Sequence, residues 1–135
     1  CAELAAVPEK DRNATPFLRM MLRLQLEDGN WTTAAQLAET LAKKEPGDPS
    51  FPIQLAYATR RSSGIEAAEK ILRDALTRFP KIALIHFNLA CYACQTDRRD
   101  DALTCLAKAV ALDPGLLQTA MEDEDLRPIW PFIEA

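Results

Sequence analysis

ALTCLAKAVALDP, residues 102–114, has two earlier counterparts: AEKILRDALTRFP at residues 68–80 and AAQLAETLAKKEP at residues 34–46. Each copy begins on an alanine, carries apolar residues at helical spacing and closes on a proline. Pro46, Pro80 and Pro114 are separated by 34 residues each time. A self-similarity of that length is the mark of a repeat architecture, in which one supersecondary unit is written several times.

Outward from these segments, each copy is preceded by a second helical pattern. Phe17, Leu18, Met20, Met21, Leu22, Leu24 and Leu26 give a broad apolar face, with Thr15 and Pro16 as the N-cap and the first-turn proline. Asp28, Gly29 and Asn30 end it, because Gly and Asn accept the left-handed conformation that terminates helices. A return helix from Thr32 to Lys44 follows. In the second copy Asp48 and Pro49 open a helix, Ser62, Ser63 and Gly64 turn the chain, and Ile65–Phe79 returns. In the third, Ala83–Thr96 turns at Asp97 and returns over Arg99–Asp113. The pattern predicts antiparallel helix hairpins.

Small residues recur in phase. Ala34, Ala68 and Ala102 share one place; Ala56 and Ala90 share another, where the first copy has Leu22. Helices that cross at 8–10 Å admit only small side chains at the crossing, so alanine there is a packing requirement. The first copy exchanges two positions: it has Ala38 and Leu41 where the others have Leu72 and Ala75, and Leu106 and Ala109.

These features resemble the tetratricopeptide repeat of bacterial-type arrays: the period, the large–small pair Leu89 and Ala90, the alanines Ala102 and Ala109, and the closing Pro114. The resemblance implies an all-α, right-handed superhelical array of antiparallel helix hairpins. Residues 1–14 are then a lead-in, 15–48, 49–82 and 83–116 three repeats, and 117–135 a capping helix and tail. Leu116, Leu117, Ala120 and Met121 supply the stripe of that helix, since a last hairpin cannot leave its face bare. Leu126, Ile129, Trp130 and Ile133 continue it, with Pro128 and Pro131 keeping the tail short or irregular.

What the resemblance implies for function is a non-enzymatic interaction module or scaffold that binds a partner peptide or helix in a concave groove. The residues carried over to that groove are Arg19, Met20 and Arg23, then Gln54, Tyr57, Arg60 and Arg61, then Phe87, Asn88 and Cys91. Four arginines with two aromatics fit a partner that has acidic and apolar residues. The family's chaperone-tail carboxylate clamp would need basic and amide residues where this chain has Arg19, Arg23, Gln54, Leu84 and Asn88, and it is not reproduced. A secretion-type chaperone is the alternative within the same class; a spacer whose arginines are simply solvated is the bland reading.

Composition agrees with a globular domain. The 135 residues are 48% hydrophobic and 27% charged, one domain in size, long enough to bury about two thirds of the unfolded surface. A net charge of −4 argues against a nucleic-acid binder that works by neutralising phosphates. No run approaches the ~20 apolar residues of a membrane span. Isolated Gly29, Gly47, Gly64 and Gly115 form no phosphate-cradling loop.

The single histidine, His86, has no catalytic partner at helical spacing and reads as structural. Cys91, Cys94 and Cys105 are the material for a distant alternative, a metal or redox protein, but structural zinc wants four ligands and these cysteines sit at ordinary repeat positions. The acidic Asp97, Asp100 and Asp101, and Glu122–Asp125, lack the spacing of a calcium loop. No catalytic residue, metal or cofactor is expected. A cytoplasmic location is expected, with Cys1 leaving a lipoprotein or periplasmic origin open.

Overall fold

The computed structural model describes residues 15–133; the expected lead-in over residues 1–14, and Cys1 with it, lies outside them. Helices α1 (Thr15–Asp28), α2 (Trp31–Lys44), α3 (Ser50–Ser62), α4 (Ile65–Leu76), α5 (Ala83–Gln95) and α6 (Arg99–Leu112) follow in order. They are succeeded by a short α7 (Leu116–Ala120), a 3-10 segment (Glu124–Ile129) and α8 (Trp130–Ile133). No strand occurs among the described residues. The fold is all-α and built from helix hairpins.

The repeat period is written into the backbone hydrogen bonds. At the turn inside each hairpin, the amides of Asn30, Gly64 and Arg98 donate to the carbonyls of Gln25, Thr59 and Ala93, at 2.9, 3.1 and 2.9 Å. At the end of each return helix, Glu45, Phe79 and Asp113 donate to Leu41, Ala75 and Ala109, at 2.8 Å each. Both sets step by 34 residues. A residue of positive φ stands at each turn: Gly29 (φ +74°) and Asp97 (φ +59°) just before the donor in the first and third copies, and Gly64 (φ +107°), the donor itself, in the second. Aspartate is one of the few residues with a side chain that visits this region routinely.

The chain divides into two compact units, one running through Ala68 and the other from Glu69, with the boundary inside α4. Each unit is contact-dense in itself, as in an array in which every hairpin is a structural unit. In the first unit α2 packs against both α1 and α3. Leu18, Leu22, Ala34, Ala38, Leu41, Phe51 and Ala58 form its core, with Leu26, Leu37 and Leu55 packed around them. In the second, α5 packs against α6, and the 3-10 segment packs on both.

All three phase-matched alanines, Ala34, Ala68 and Ala102, are fully buried, as are Ala56 and Ala90. So are both members of the exchanged pair, Ala38 and Leu41, and of their counterparts Leu72 and Ala75. Swapping a large and a small residue one turn apart conserves core volume, which cores tolerate. The helix starts differ from expectation in one respect. Thr15 lies within α1, and its hydroxyl donates to Glu45 Oε1 at 3.2 Å. At α3 the carboxylate of Asp48 accepts the Ser50 amide and hydroxyl at 2.9 and 2.7 Å; these bonds hold its carboxyl below the ordinary value.

The tail departs furthest from a plain capping helix. Helix α7 stops at Ala120. Asp123 then accepts the Asp125 amide at 2.9 Å, and Pro128 and Pro131 remove two amides that a longer helix would use. Leu126 and Ile129 are completely buried, and the Trp130 indole donates to the Ala120 carbonyl at 2.7 Å. The tail packs on α5 and α6 through a 3-10 turn.

Candidate functional site

In the first unit, α1 and α3 present a pocket of about 270 Å³ lined by Arg19, Leu22, Arg23, Leu26, Glu27, Phe51 and Gln54. Helical geometry explains the lining: residues 19, 23 and 27 recur every four positions and so share a face, with Leu22 and Leu26 one position behind. Leu22 and Phe51 are buried and make an apolar floor, while Arg19, Arg23 and Glu27 are exposed at the rim. The Arg19 guanidinium stands 5.4 Å from the Phe51 ring centre. Arg19 and Arg23 were expected here from sequence, and Gln54 joins them from α3.

Further along α3, on the face that carries Gln54, Tyr57 and Arg61 follow at the spacing of one and two turns. The Arg61 guanidinium lies 3.6 Å from the Tyr57 ring centre and 5.3 Å from that of Trp31. It also donates to the Tyr57 carbonyl at 2.9 Å. Trp31 and Tyr57 meet edge to face at 5.9 Å. Arg61 is thus stacked, and the cluster is a preordered aromatic ledge, each cation–π contact contributing about 0.5–1 kcal/mol at an exposed site. Tyr57 remains 46% exposed and Met20 39% exposed; Arg60 is half-buried.

The three remaining groove candidates belong to the second unit and are placed differently. Phe87 and Cys91 are each only 4% exposed, and Asn88 is half-buried. Helix α5 is apolar on nearly every side, with Ile85, Phe87, Leu89, Ala90, Cys91, Tyr92, Ala93 and Cys94 all buried. A helix of that kind must be covered all round. Here the tail takes part in covering it: the Cys91 thiol lies 4.0 Å from Asp123 Oδ2, and the Gln95 amide donates to the Asp125 carbonyl at 2.9 Å. Phe87 and Cys91 are therefore part of the packed interior of this unit, a correction to their expected role as open lining residues.

Cysteine chemistry takes an unexpected form. Sequence groups Cys91 with Cys94 and Cys105; the structure groups Cys91 with Asp123 and Asp125, whose ligand atoms all lie within 4.8 Å of one another. Cys94 and Cys105 carry no disulfide among the described residues. Burial pushes the Cys94 thiol up, against the opposing backbone amide of Ile129, and burial pushes Cys105 up as well. Raised thiols hold less of the reactive thiolate at neutral pH. His86 is buried and donates from Nε2 to the Pro80 carbonyl at 2.8 Å, the structural role expected of it.

Sequence reading missed Leu22, Leu26, Glu27, Phe51 and Trp31 as surroundings of the site. The four-residue spacing of Arg19, Arg23 and Glu27 was the available signal for the rim. Nothing local marks Trp31, the first residue of α2, as a neighbour of α3.

Residues 83–116 match the family model of the tetratricopeptide repeat. Among solved structures the chain is similar to one titled "MamA MSR-1 C2", with a TM-score of 0.65 and 19% sequence identity, over 76% of this chain and 59% of that one. It therefore spans less than two thirds of that chain, and at this identity the likeness concerns the fold. No curated protein matches it. No helix among the described residues is long and apolar enough to cross a membrane. With one repeat matched outright, the same turn and helix-end bonds recurring at 34-residue steps, and a fold shared with a solved structure, the chain carries a tetratricopeptide repeat at residues 83–116 within an all-α fold of that type.

Proposed function

We propose that the protein is a non-enzymatic interaction module that holds a partner protein on the face of α1 and α3. In this reading residues 15–48, 49–82 and 83–116 are three repeats, and residues 117–135 cap the last of them. The observation that carries it is the pocket lined by Arg19, Arg23, Gln54 and Phe51, adjoined on α3 by the exposed, preordered Tyr57. Rigid aromatics on a surface cost little entropy to bind with and supply affinity, while rim arginines set encounter rate and orientation. The overall charge of −4 favours a protein partner over nucleic acid. Free cysteines suit a reducing compartment such as the cytoplasm.

The test is affinity capture from the source lysate with the wild-type protein and three variants. Tyr57→Ala should weaken binding by about 1–2 kcal/mol, and Arg23→Glu should slow association most at low salt. Lys70→Glu, a change on exposed α4, should leave the captured set intact. A partner lost equally by all three variants would show that another face does the binding.

A further inference from the structure

The rim of the α1–α3 pocket is not uniformly basic. Arg19 and Arg23 stand toward the start of α1 and Glu27 toward its end, with the apolar floor of Leu22, Leu26 and Phe51 between α1 and α3. Among the described residues, neither Arg23 nor Glu27 enters an ion pair. Two opposite charges, neither in an ion pair among the described residues, therefore flank one pocket whose walls are part polar and part apolar. We infer that the pocket takes an extended partner segment in which an acidic, a large apolar and a basic side chain follow one another on one face. The inference rests on the interaction face proposed above and adds the partner's chemistry and polarity to it.

Dimensions support that occupant. Eight helical residues separate Arg19 from Glu27, about 12 Å along the axis. An extended segment covers that distance in about four residues at 3.3 Å each. Side chains at i, i+2 and i+4 of such a segment point the same way, so an acid, an anchor and a base fit the spacing. The pocket's volume of about 270 Å³ leaves room for one large side chain of indole size, with Leu26 as the partly exposed apolar wall. Gln54 offers the segment an amide donor and acceptor, as extended backbone requires. A uniformly acidic segment would set its second carboxylate against Glu27, and a uniformly basic one would meet both arginines.

Three fluorescein-labelled peptides test this: Ser-Glu-Ser-Trp-Ser-Lys-Ser, and the versions with both charges acidic or both basic. Anisotropy titrations with the full chain should rank the mixed peptide first, by about three- to fivefold over the acidic one, the scale of a single exposed charge pair. The Glu27→Lys variant should reverse that ranking, and Arg23→Glu should weaken the mixed peptide about tenfold. Both side chains are exposed, so both variants should melt like the wild type. An unchanged ranking in Glu27→Lys, or no peptide binding tighter than about 1 mM, overturns the inference. If the ranking fails while Arg23→Glu and Tyr57→Ala still lose the captured partner, the polarity is wrong and the face stands. If those variants keep the partner too, the face itself is wrong.

Discussion

Tyr57 on α3 and Cys91 on α5 occupy the same place in the 34-residue period, and yet Tyr57 is 46% exposed while Cys91 is 4% exposed. Their helices have the same length, and each ends in the same five-residue backbone closure. The difference lies in what each side chain meets. Cys91 faces Asp123 and the buried Leu126 and Ile129 belong to the segment packed on its helix; Tyr57 stacks with Arg61 and Trp31 and keeps an edge in solvent. Equivalent positions in a repeat share a backbone and need not share a role, because exposure is decided by whatever docks beside them.

Removing the cover should erase much of that contrast. Ile129→Ala deletes a completely buried side chain and should cost about 2–5 kcal/mol, as core truncations do. Thermal melts would read the loss. Titration with a thiol reagent should show Cys91 and Cys94 reacting faster in the variant. Unchanged thiol protection would mean that the tail is not what shields α5.

The scaffold itself should respond alike in both units. Ala34→Leu and Ala102→Leu each overfill a fully buried crossing and should each cost about 1–3 kcal/mol. A large loss at one site and none at the other would break the equivalence on which the comparison depends.

An ion pair separates the units next. Glu69 accepts two bonds from Arg98 and one from Arg73 at 2.9 Å; the residues one period earlier are Ala35 and Gly64 in the places of Glu69 and Arg98, which can form no such pair. The bonds from Arg98, foremost, hold the Glu69 carboxyl below its ordinary value. A carboxyl lowered in the folded state contributes stability above its unfolded pKa, near 4.3, and loses it as pH falls through the folded value. Glu69→Gln should therefore cost about 1 kcal/mol at pH 7, since both arginines reach water, and should flatten the decline of the melting temperature below pH 4.5. An acid decline identical to wild type would remove Glu69 from the account.

The smallest effect is expected at the open face. Tyr57→Ala should cost about 0.5–1 kcal/mol of stability, from the lost stacking with Arg61 and Trp31. A loss comparable to that of Ile129→Ala would show Tyr57 to be core after all.

Helix positions, turns and the buried alanines were legible in the chain because each depends on local chemistry: helical periodicity, the left-handed turn residue, and the small side chain a close crossing demands. The tail's covering role was legible for a related reason, since Leu126 and Ile129 have nowhere else to go. The site was only half legible. Arg19, Arg23, Gln54 and Tyr57 are named by the sequence, but Glu27 at the rim, Phe51 in the floor and Trp31 in the ledge come from helices whose faces meet only after folding. Burial of Phe87 and Cys91, and the meeting of Cys91 with Asp123 and Asp125 across 32 and 34 residues of chain, belong to the same class. A hydrogen bond to the residue five positions back is determined by the backbone nearby, whereas solvent access depends on every segment that could lie alongside, and only the tertiary structure selects among them.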